Sequence, residues 1–262
     1  MRIFLHQNCR LVNMSTTFFI VVLSLMVFSV RMVSAEGTIN IKDIYSPRWD
    51  VDKTLSPTTL REIYNRDTIK KVNKPITGKR GTQVIMDAQH KTKVWEFDDY
   101  NFIISSNLHP SVEGKFNVGD NVDVFGLALS AEVFSKDQIH SINGGLVKVN
   151  ERKGAGKTIY MNVFIDGHKK DDTSKYKITF EKSPVTFQEV DVRLRKSFML
   201  NDEIKLYQYD SKFLSGNWEF HGSGEKEEGA DLFKYPDYRC NNLIDIDKKS
   251  HIDVYLFTNK EN

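Results

Sequence analysis

Alternating apolar and polar residues predict short β-strands along most of the chain. The segment from Asn121 to Gly126 alternates in this way, as a strand with one buried face does. Other strand signals occur near residues 83–86, 100–104, 142–147, 158–165, 176–181, 217–221, 230–233 and 251–257. Short strands at the spacing found before residue 150 predict a small barrel or a strongly curved sheet.

One long helix is predicted at about residues 184–200. Apolar residues recur at every fourth position from Val190, which gives the helix a single apolar stripe. Thr186 and Glu189 have the spacing of a capping box at its start. A helix of this kind lying across a mixed sheet predicts the α+β class.

A shorter helix is predicted near the start of the first strand region. Ser56-Pro57 has the composition of a helix start, with proline at an early position. We expect this helix to end near residues 73–75, where Pro75 interrupts the pattern.

A charged, glycine-rich segment at residues 151–157 divides these elements into two groups. We expect it to be a flexible linker between an amino-terminal domain of residues 36–150 and a carboxy-terminal domain of residues 151–262. The end of this segment and the next residue, Gly156-Lys157-Thr158, match the end of a phosphate-binding loop motif. Glu151 stands where that motif requires glycine, however, and a strand follows rather than a helix.

Residues 1–35 have the organisation of a secretory signal peptide. They begin with basic residues, lack any acidic residue, contain the apolar run of residues 18–30 and end in a small-residue cleavage pattern at Ala35. The apolar run is shorter than the roughly 20 residues that a membrane-spanning helix needs. We therefore expect a secreted protein that does not insert into a membrane, with synthesis starting at Met1 or Met14.

Charge and cysteine content narrow the function further. The chain has 37 basic and 35 acidic residues, and Arg2, Arg10 and Arg31 lie in the predicted signal peptide, so the mature protein is nearly neutral. A nucleic-acid-binding protein usually has a clear basic excess, and none is present. Cys240 is the only cysteine outside the predicted signal peptide, so no internal disulfide can form. A homodimer linked through Cys240 or through a metal is left open.

His251 and Asp253 have the spacing of two metal ligands on one strand. Residues two apart on a strand project from the same face, so both side chains can reach one ion. His221 ends another predicted strand and is a candidate third ligand. Two imidazoles and one carboxylate suit Zn²⁺ and leave a fourth position open. The alternative is a solvated surface pair, for which the same local spacing is common.

A longer set of motifs resembles the superantigen exotoxins of staphylococci and streptococci. The matching segments are Val122–Gly126, Gly144-Gly145, Lys182–Asp191, Arg195-Lys196, Lys205–Tyr207, Asp231–Phe233 and His251–Leu256. The resemblance covers most of the mature chain, and it is strong from about residue 116 onward. Residues 130–141 contain no cysteine, so the disulfide loop of most enterotoxins is missing, as in the streptococcal exotoxins.

The resemblance implies a fold, two partners and a metal. Proteins of this family combine an amino-terminal OB-type barrel with a carboxy-terminal β-grasp domain. They connect MHC class II to the variable region of the T-cell receptor β chain, without catalysis. In members that resemble enterotoxin A, a His-x-Asp pair on the last strand and an earlier histidine bind Zn²⁺, and the MHC β chain supplies another histidine. The corresponding residues here are His221, His251 and Asp253, and Tyr64 and Asn65 are candidates for receptor contacts.

Two other functions are compatible with the same residues. A superantigen-like immune-evasion protein of this fold would bind other host immune factors, although such proteins generally lack the zinc ligands. A zinc hydrolase would use the open position to activate water and would need a general base, for which Glu219 and Asp245 are candidates. The sequence contains neither Gly-x-Ser-x-Gly nor His-Glu-x-x-His, so we expect a protein that is not an enzyme.

Overall fold

Two β-sheets and two α-helices form most of the computed structural model, which describes residues 54–84, 91–97, 102–107, 114–129, 139–141, 145–222, 228–234 and 241–258. The predicted signal peptide and Cys240 lie outside the described residues. No helix among the described residues is both long enough and apolar enough to cross a membrane.

The first sheet has seven strands and occupies the amino-terminal half of the described chain. Its strands are β1 (Thr68–Pro75), β2 (Gly78–Val84), β3 (Lys91–Phe97), β4 (Phe102–Asn107), β5 (Asn121–Leu129), β6 (Ile139–Ser141) and β7 (Gly145–Lys148). Their order is β1-β5-β6-β4-β3-β2, and β7 also pairs with β5. The pair β4 and β6 is parallel, and the other neighbours are antiparallel.

The second sheet has six strands, and two separate two-stranded pairs accompany it. The strands of this half are β8 (Gly154–Ala155), β9 (Thr158–Ile165), β10 (His168–Lys169), β11 (Lys177–Thr179), β12 (Lys182–Ser183), β13 (Val185–Thr186), β14 (Ser215–His221), β15 (Glu228–Asp231), β16 (Leu243–Ile244) and β17 (His251–Phe257). The sheet order is β10-β9-β17-β14-β15, with β11 on β9, while β8 pairs with β12 and β13 pairs with β16. The last strand, β17, therefore lies in the middle of the sheet, parallel to β9 and antiparallel to β14.

The two α-helices are α1 (Pro57–Tyr64) and α2 (Phe187–Leu200), and short 3₁₀ turns occupy Val149–Glu151 and Thr173–Lys175. Ser56 caps α1, because its side chain accepts a hydrogen bond from the amide of Thr59. Thr186 caps α2 in the same way, through the amide of Glu189. The predicted apolar stripe of α2 is buried: Val190, Leu194 and Phe198 are fully covered.

The main hydrophobic core joins α1, α2 and the second sheet. It contains Leu60 and Tyr64 from α1, the stripe of α2, and the inward-facing residues of β9, β14 and β17. A smaller cluster lies in the first sheet and includes Ile69, Val122 and Leu146. A helix on a mixed sheet is the arrangement that the sequence predicts, and the α+β class is confirmed.

The predicted end of the first helix is wrong. Helix α1 ends at Tyr64, and residues 68–75, which include the expected helix end at residues 73–75, form β1 instead. Backbone pairing of β1 with β5 favours the extended conformation there, so a contact between distant parts of the chain overrides the local pattern.

The predicted flexible linker at residues 151–157 is also wrong. Its first residue ends a 3₁₀ turn, and Gly154–Ala155 forms β8, which pairs with β12. The amide of Lys153 donates to the carbonyl of Ser183, 2.7 Å away. Backbone hydrogen bonds to residues 182–183 therefore fix the conformation of this segment. The domain boundary predicted at residue 150 stays a prediction.

Candidate metal centre

The pairing of β14 with β17 brings the three candidate ligands together. In this antiparallel pair His221 lies directly opposite His251, and Glu219 lies opposite Asp253. Residues at alternate positions of a strand share a face, so His221, His251 and Asp253 project from the same side of the sheet. His221, which the sequence placed on another predicted strand, therefore lies on β14, the strand next to the one that carries His251 and Asp253.

The alternation of β17 explains why these side chains face away from the core. Ile252, Val254 and Leu256 are fully buried in the core below the sheet. A shift of the register by one residue would move all three into solvent and the polar residues into the core, so hydrophobic burial fixes the register. The same burial therefore fixes the positions of His251 and Asp253.

The ligand atoms are close enough to hold one ion. Nε2 of His221 lies 3.4 Å from Oδ2 of Asp253, and Nε2 of His251 lies 3.8 Å from Oδ1 of the same carboxylate. The two imidazole rings are stacked, with centroids 4.8 Å apart and planes 15° apart. Two atoms bonded to one tetrahedral zinc ion at about 2.0–2.2 Å lie roughly 3.3–3.6 Å apart. The candidate ligand atoms all lie within 4.8 Å of one another, so the side chains would move closer together to bind one ion.

The Nε2 atom of His221 is buried and has no hydrogen-bond partner among the described residues. A buried polar atom without a partner costs free energy, and most such atoms in folded proteins are paired. A metal ion bonded to this nitrogen would remove the cost. The residues present therefore fit a zinc ion.

Neighbouring groups orient two of the ligands. Nδ1 of His251 lies 3.3 Å from the carbonyl oxygen of Lys249, which can only accept a hydrogen bond. A proton on Nδ1 leaves the lone pair of the neutral ring on Nε2, the nitrogen that faces Asp253. The side-chain amide of Asn162 donates to Oδ1 of Asp253 at 2.7 Å, and the hydroxyl of Tyr255 lies 3.4 Å from Oδ2.

Tyr255 stays protonated next to the carboxylate. Burial raises the pKa of its hydroxyl, and the negative charges of Asp253 and Glu219 raise it further. The hydroxyl is therefore a donor toward Asp253 at neutral pH.

The three candidate ligand residues are partly exposed, although Nε2 of His221 itself is buried. The side chains of His221, His251 and Asp253 are 30%, 44% and 16% exposed. Three protein ligands would leave one position of a tetrahedral ion open. Among the described residues, this is the one group of three or more His, Cys, Asp and Glu side chains with such spacing.

The candidate general bases of the hydrolase hypothesis are placed differently. Glu219 lies opposite Asp253 on the same face of the sheet. The carboxylate of Asp245 accepts a hydrogen bond from Lys153 at 2.6 Å. Asp245 is therefore held in a surface ion pair, and Glu219 alone is adjacent to the metal ligands in the sheet.

The two candidate receptor contacts differ sharply in exposure. Tyr64 is 1% exposed, and its hydroxyl donates to the buried carboxylate of Asp191 at 2.8 Å. Asn65 is exposed at the carboxyl end of α1, where its amide donates to the carbonyl of Arg61. A side chain in the core cannot touch a partner protein, so Tyr64 anchors the helix and Asn65 is the residue available for contact.

Sequence analysis missed Asn162 and Tyr255. Tyr255 is two residues beyond Asp253, so the strand period that indicated His251 and Asp253 also places it on their face. Asn162 is more than ninety positions away from Asp253, and its proximity depends on the parallel pairing of β9 with β17. No local pattern in the sequence indicates that pairing.

Two family models match the chain, and together they cover most of it. The first is the OB-fold domain of the staphylococcal/streptococcal toxins, which matches residues 59–148. The second is the β-grasp domain of the same toxins, which matches residues 159–256 and contains all three candidate ligands.

Individual relatives agree with these models. Enterotoxin type H of Staphylococcus aureus is 30% identical over 152 residues, which are 54% of this chain and 61% of the enterotoxin. The structure of a mitogen derived from Streptococcus dysgalactiae is 38% identical and superposes with a TM-score of 0.63, covering 81% of this chain and 100% of the mitogen. Staphylococcal enterotoxin A co-crystallised with zinc is 23% identical with a TM-score of 0.59, covering 78% of this chain and 95% of the enterotoxin.

Proposed function

We propose that this protein, which belongs to the family of staphylococcal and streptococcal toxins, is a secreted superantigen that binds the β chain of MHC class II through zinc and links it to the variable region of the T-cell receptor β chain. The predicted combination of an OB-fold domain with a β-grasp domain is confirmed by the family. Members of this family act on the immune system without catalysis, so the prediction of a protein that is not an enzyme is also confirmed.

One observation carries the zinc part of the proposal. Ligand atoms of His221, His251 and Asp253 all lie within 4.8 Å of one another on a partly exposed sheet face. The same family includes an enterotoxin that was co-crystallised with zinc. His221, His251 and Asp253 would hold the ion here, and the ion would supply an open coordination position for a histidine of the MHC β chain.

The receptor side of the proposal rests on α1. The hydroxyl of Tyr64 fixes the end of this helix to Asp191 of α2, and Asn65 follows at the surface. We assign the contact with the T-cell receptor to Asn65, and Tyr64 serves to position it. We also propose that residues 1–35 are a secretory signal peptide that is cleaved after Ala35.

The alternative is an immune-evasion protein of the same fold that binds other host factors. The complete set of three ligands favours the superantigen, because that set has no use in a protein that binds its partner without metal. A homodimer through zinc or Cys240 stays a prediction.

Binding to soluble MHC class II, with and without a chelator, tests the zinc bridge. We expect the chelator to remove binding by the mature protein and added zinc to restore it. His251→Ala should weaken binding by at least about 100-fold, since even the loss of an outer-shell partner of a zinc ligand costs 10–100-fold in affinity. His168→Ala, at an exposed position of β10, is the matched control and should bind like the wild type.

Unchanged binding both in the chelator and in the His251→Ala protein would exclude the zinc bridge. T cells sorted by their β-variable family then separate the two candidate functions. A superantigen expands some of these families selectively, whereas an even response would favour the immune-evasion protein.

A further inference from the structure

We propose that Asn162 is a positioning residue of the candidate metal centre: its amide holds one oxygen of Asp253 and leaves the other for the ion. This inference rests on the proposed zinc site, but it concerns a residue on a third strand. It also predicts that the Asp253 carboxylate binds the ion through one oxygen, which the identity of the three ligands does not determine.

The geometry separates the two oxygens of Asp253. Nδ2 of Asn162 donates to Oδ1 at 2.7 Å, which is a short hydrogen bond to a carboxylate. Oδ2 is the oxygen 3.4 Å from the unpaired Nε2 of His221. The oxygen held by Asn162 is therefore not the one next to the buried ligand nitrogen.

The backbone makes this arrangement rigid. Asn162 and Asp253 are direct partners in the parallel pair of β9 and β17. The neighbours of Asn162 on β9, Met161 and Val163, are fully buried in the core. A side chain anchored in this way keeps its donor at a fixed distance from the carboxylate, which is what an outer-shell partner of a metal ligand requires.

The chemistry of an amide suits this role. The NH₂ group donates a hydrogen bond without adding a positive charge, so the carboxylate keeps its full charge for the ion. A lysine or arginine in the same place would compete with the metal for that charge. Oδ2 has only the longer contact with the Tyr255 hydroxyl, at 3.4 Å, and Nε2 of His251 lies 3.8 Å from Oδ1. The 2.7 Å bond from Asn162 is the short one, so Oδ2 is the oxygen left for an ion. One carboxylate oxygen suits a four-coordinate ion such as Zn²⁺ and disfavours the bidentate carboxylates common in calcium sites.

Residue preferences also make Asn162 unusual at this position. Asparagine is depleted in β-strands, while valine and isoleucine are favoured. Asn162 nevertheless lies in the middle of β9, a strand otherwise rich in aliphatic and aromatic residues. Asparagine at this position can donate a hydrogen bond to Asp253, which valine cannot do.

Two variants test the inference on the full mature protein. Asn162→Val removes the donor and favours the strand, and Asn162→Ala is a second removal with a smaller side chain. The control is Tyr160→Ala, two residues earlier on the same strand face, at a side chain that is 53% exposed. We would measure the zinc dissociation constant by competition with a chromophoric chelator, the visible spectrum of the cobalt-substituted protein, and the Tm of the metal-free protein.

We expect both Asn162 variants to bind zinc about 10–100-fold more weakly, while the control binds like the wild type. The cobalt spectrum should lose intensity in both variants, because a freed carboxylate can bind through both oxygens and raise the coordination number. The metal-free Tm of Asn162→Val should stay near that of the wild type.

Three results would count against the proposals, and they are distinguishable. If the wild type binds zinc and both variants match it in affinity and spectrum, Asn162 has no positioning role. Weaker binding that is accompanied by an equal loss of metal-free Tm in both variants would assign Asn162 a structural role instead. A wild type that does not bind zinc would overturn the proposed zinc site itself.

Discussion

At the scale of single residues, the two glycines of the segment before β9 behave in opposite ways. A methyl group on Gly156 would lie 1.7 Å from the carbonyl oxygen of Phe180 and 2.3 Å from Cα of Glu181. A methyl group on Gly154 would have no atom within 4 Å. The close approach at Gly156 is between two backbones, which cannot rotate away as a side chain can.

We therefore expect Gly156→Ala to destabilise the protein by about 1–3 kcal/mol, the usual cost of forcing extra volume into a packed region. Gly154→Ala should change the free energy of unfolding by no more than about 1 kcal/mol, because that position is open. Urea denaturation of both variants measures the difference. Equal effects of the two substitutions would contradict the close packing at Gly156.

A buried network is a second feature at this scale, and its parts were only partly evident in the sequence. The carboxylate of Asp191 accepts hydrogen bonds from Tyr64, Arg195 and Trp218, each at 2.8 Å. Asp191 and Arg195 are four residues apart on α2, a spacing that allows an ion pair on any helix. Both residues are completely buried, together with Tyr64 and Trp218 from other elements, and the helical pattern does not indicate that burial.

At the scale of elements, the start of α2 depends on Thr186. Its hydroxyl accepts from the amide of Glu189 at 3.2 Å, as the predicted capping box requires. The carboxylate of Glu189 pairs with Arg193 one turn later. The cap therefore relies on the threonine hydroxyl, and the glutamate serves the next turn.

Replacing Thr186 by alanine should reduce the free energy of unfolding by about 0.5–2 kcal/mol, the range for loss of a helix cap. Thr186→Ser keeps the hydroxyl and should retain most of the stability. Thermal denaturation followed by circular dichroism compares the two variants. If serine were as destabilising as alanine, the methyl group rather than the hydroxyl would be the important part of Thr186.

The bounds of the last strand, β17, at the candidate metal centre were predicted more accurately than the ends of the helices. The run at residues 251–257 coincides with β17, since alternation of apolar residues directly reflects which side is buried. The long helix starts at Phe187 rather than near residue 184, because Val185–Thr186 pairs with β16 as β13. The period of a pattern is a local property, whereas the end of an element depends on what the adjoining residues contact.

At the scale of the whole molecule, Asp123 connects the first sheet to the segments that lead into the second. Its side chain is fully buried on β5, and it accepts hydrogen bonds from the amide of Asn73, from Arg152 and from Lys182. Burial alone raises the pKa of this carboxyl, but the hydrogen bonds from Arg152 and Lys182 outweigh it and hold the pKa below its usual value.

This pKa predicts a pH dependence of stability. A carboxyl whose pKa is lower in the folded than in the unfolded state stabilises fully above the unfolded value of about 3.9, and the contribution is lost as pH falls through the folded value. Asp123→Asn should therefore cost about 1–3 kcal/mol at neutral pH, and the difference from the wild type should shrink below about pH 4. Urea denaturation at several pH values measures it. A constant difference down to pH 3 would contradict the role of the charge.

The central position of β17 has a consequence for the order of events during synthesis. Two of the three candidate metal ligands lie on β17, and the third candidate and Asn162 come from the strands on either side of it. Until β17 has been synthesised, β9 and β14 lack the strand that lies between them, so the second sheet is incomplete and the candidate ligands are apart. Pairing between segments that are distant along the chain is also intrinsically slow. We therefore expect zinc to bind only after β17 has paired with both of its neighbours, and not during the synthesis of β9 or β14.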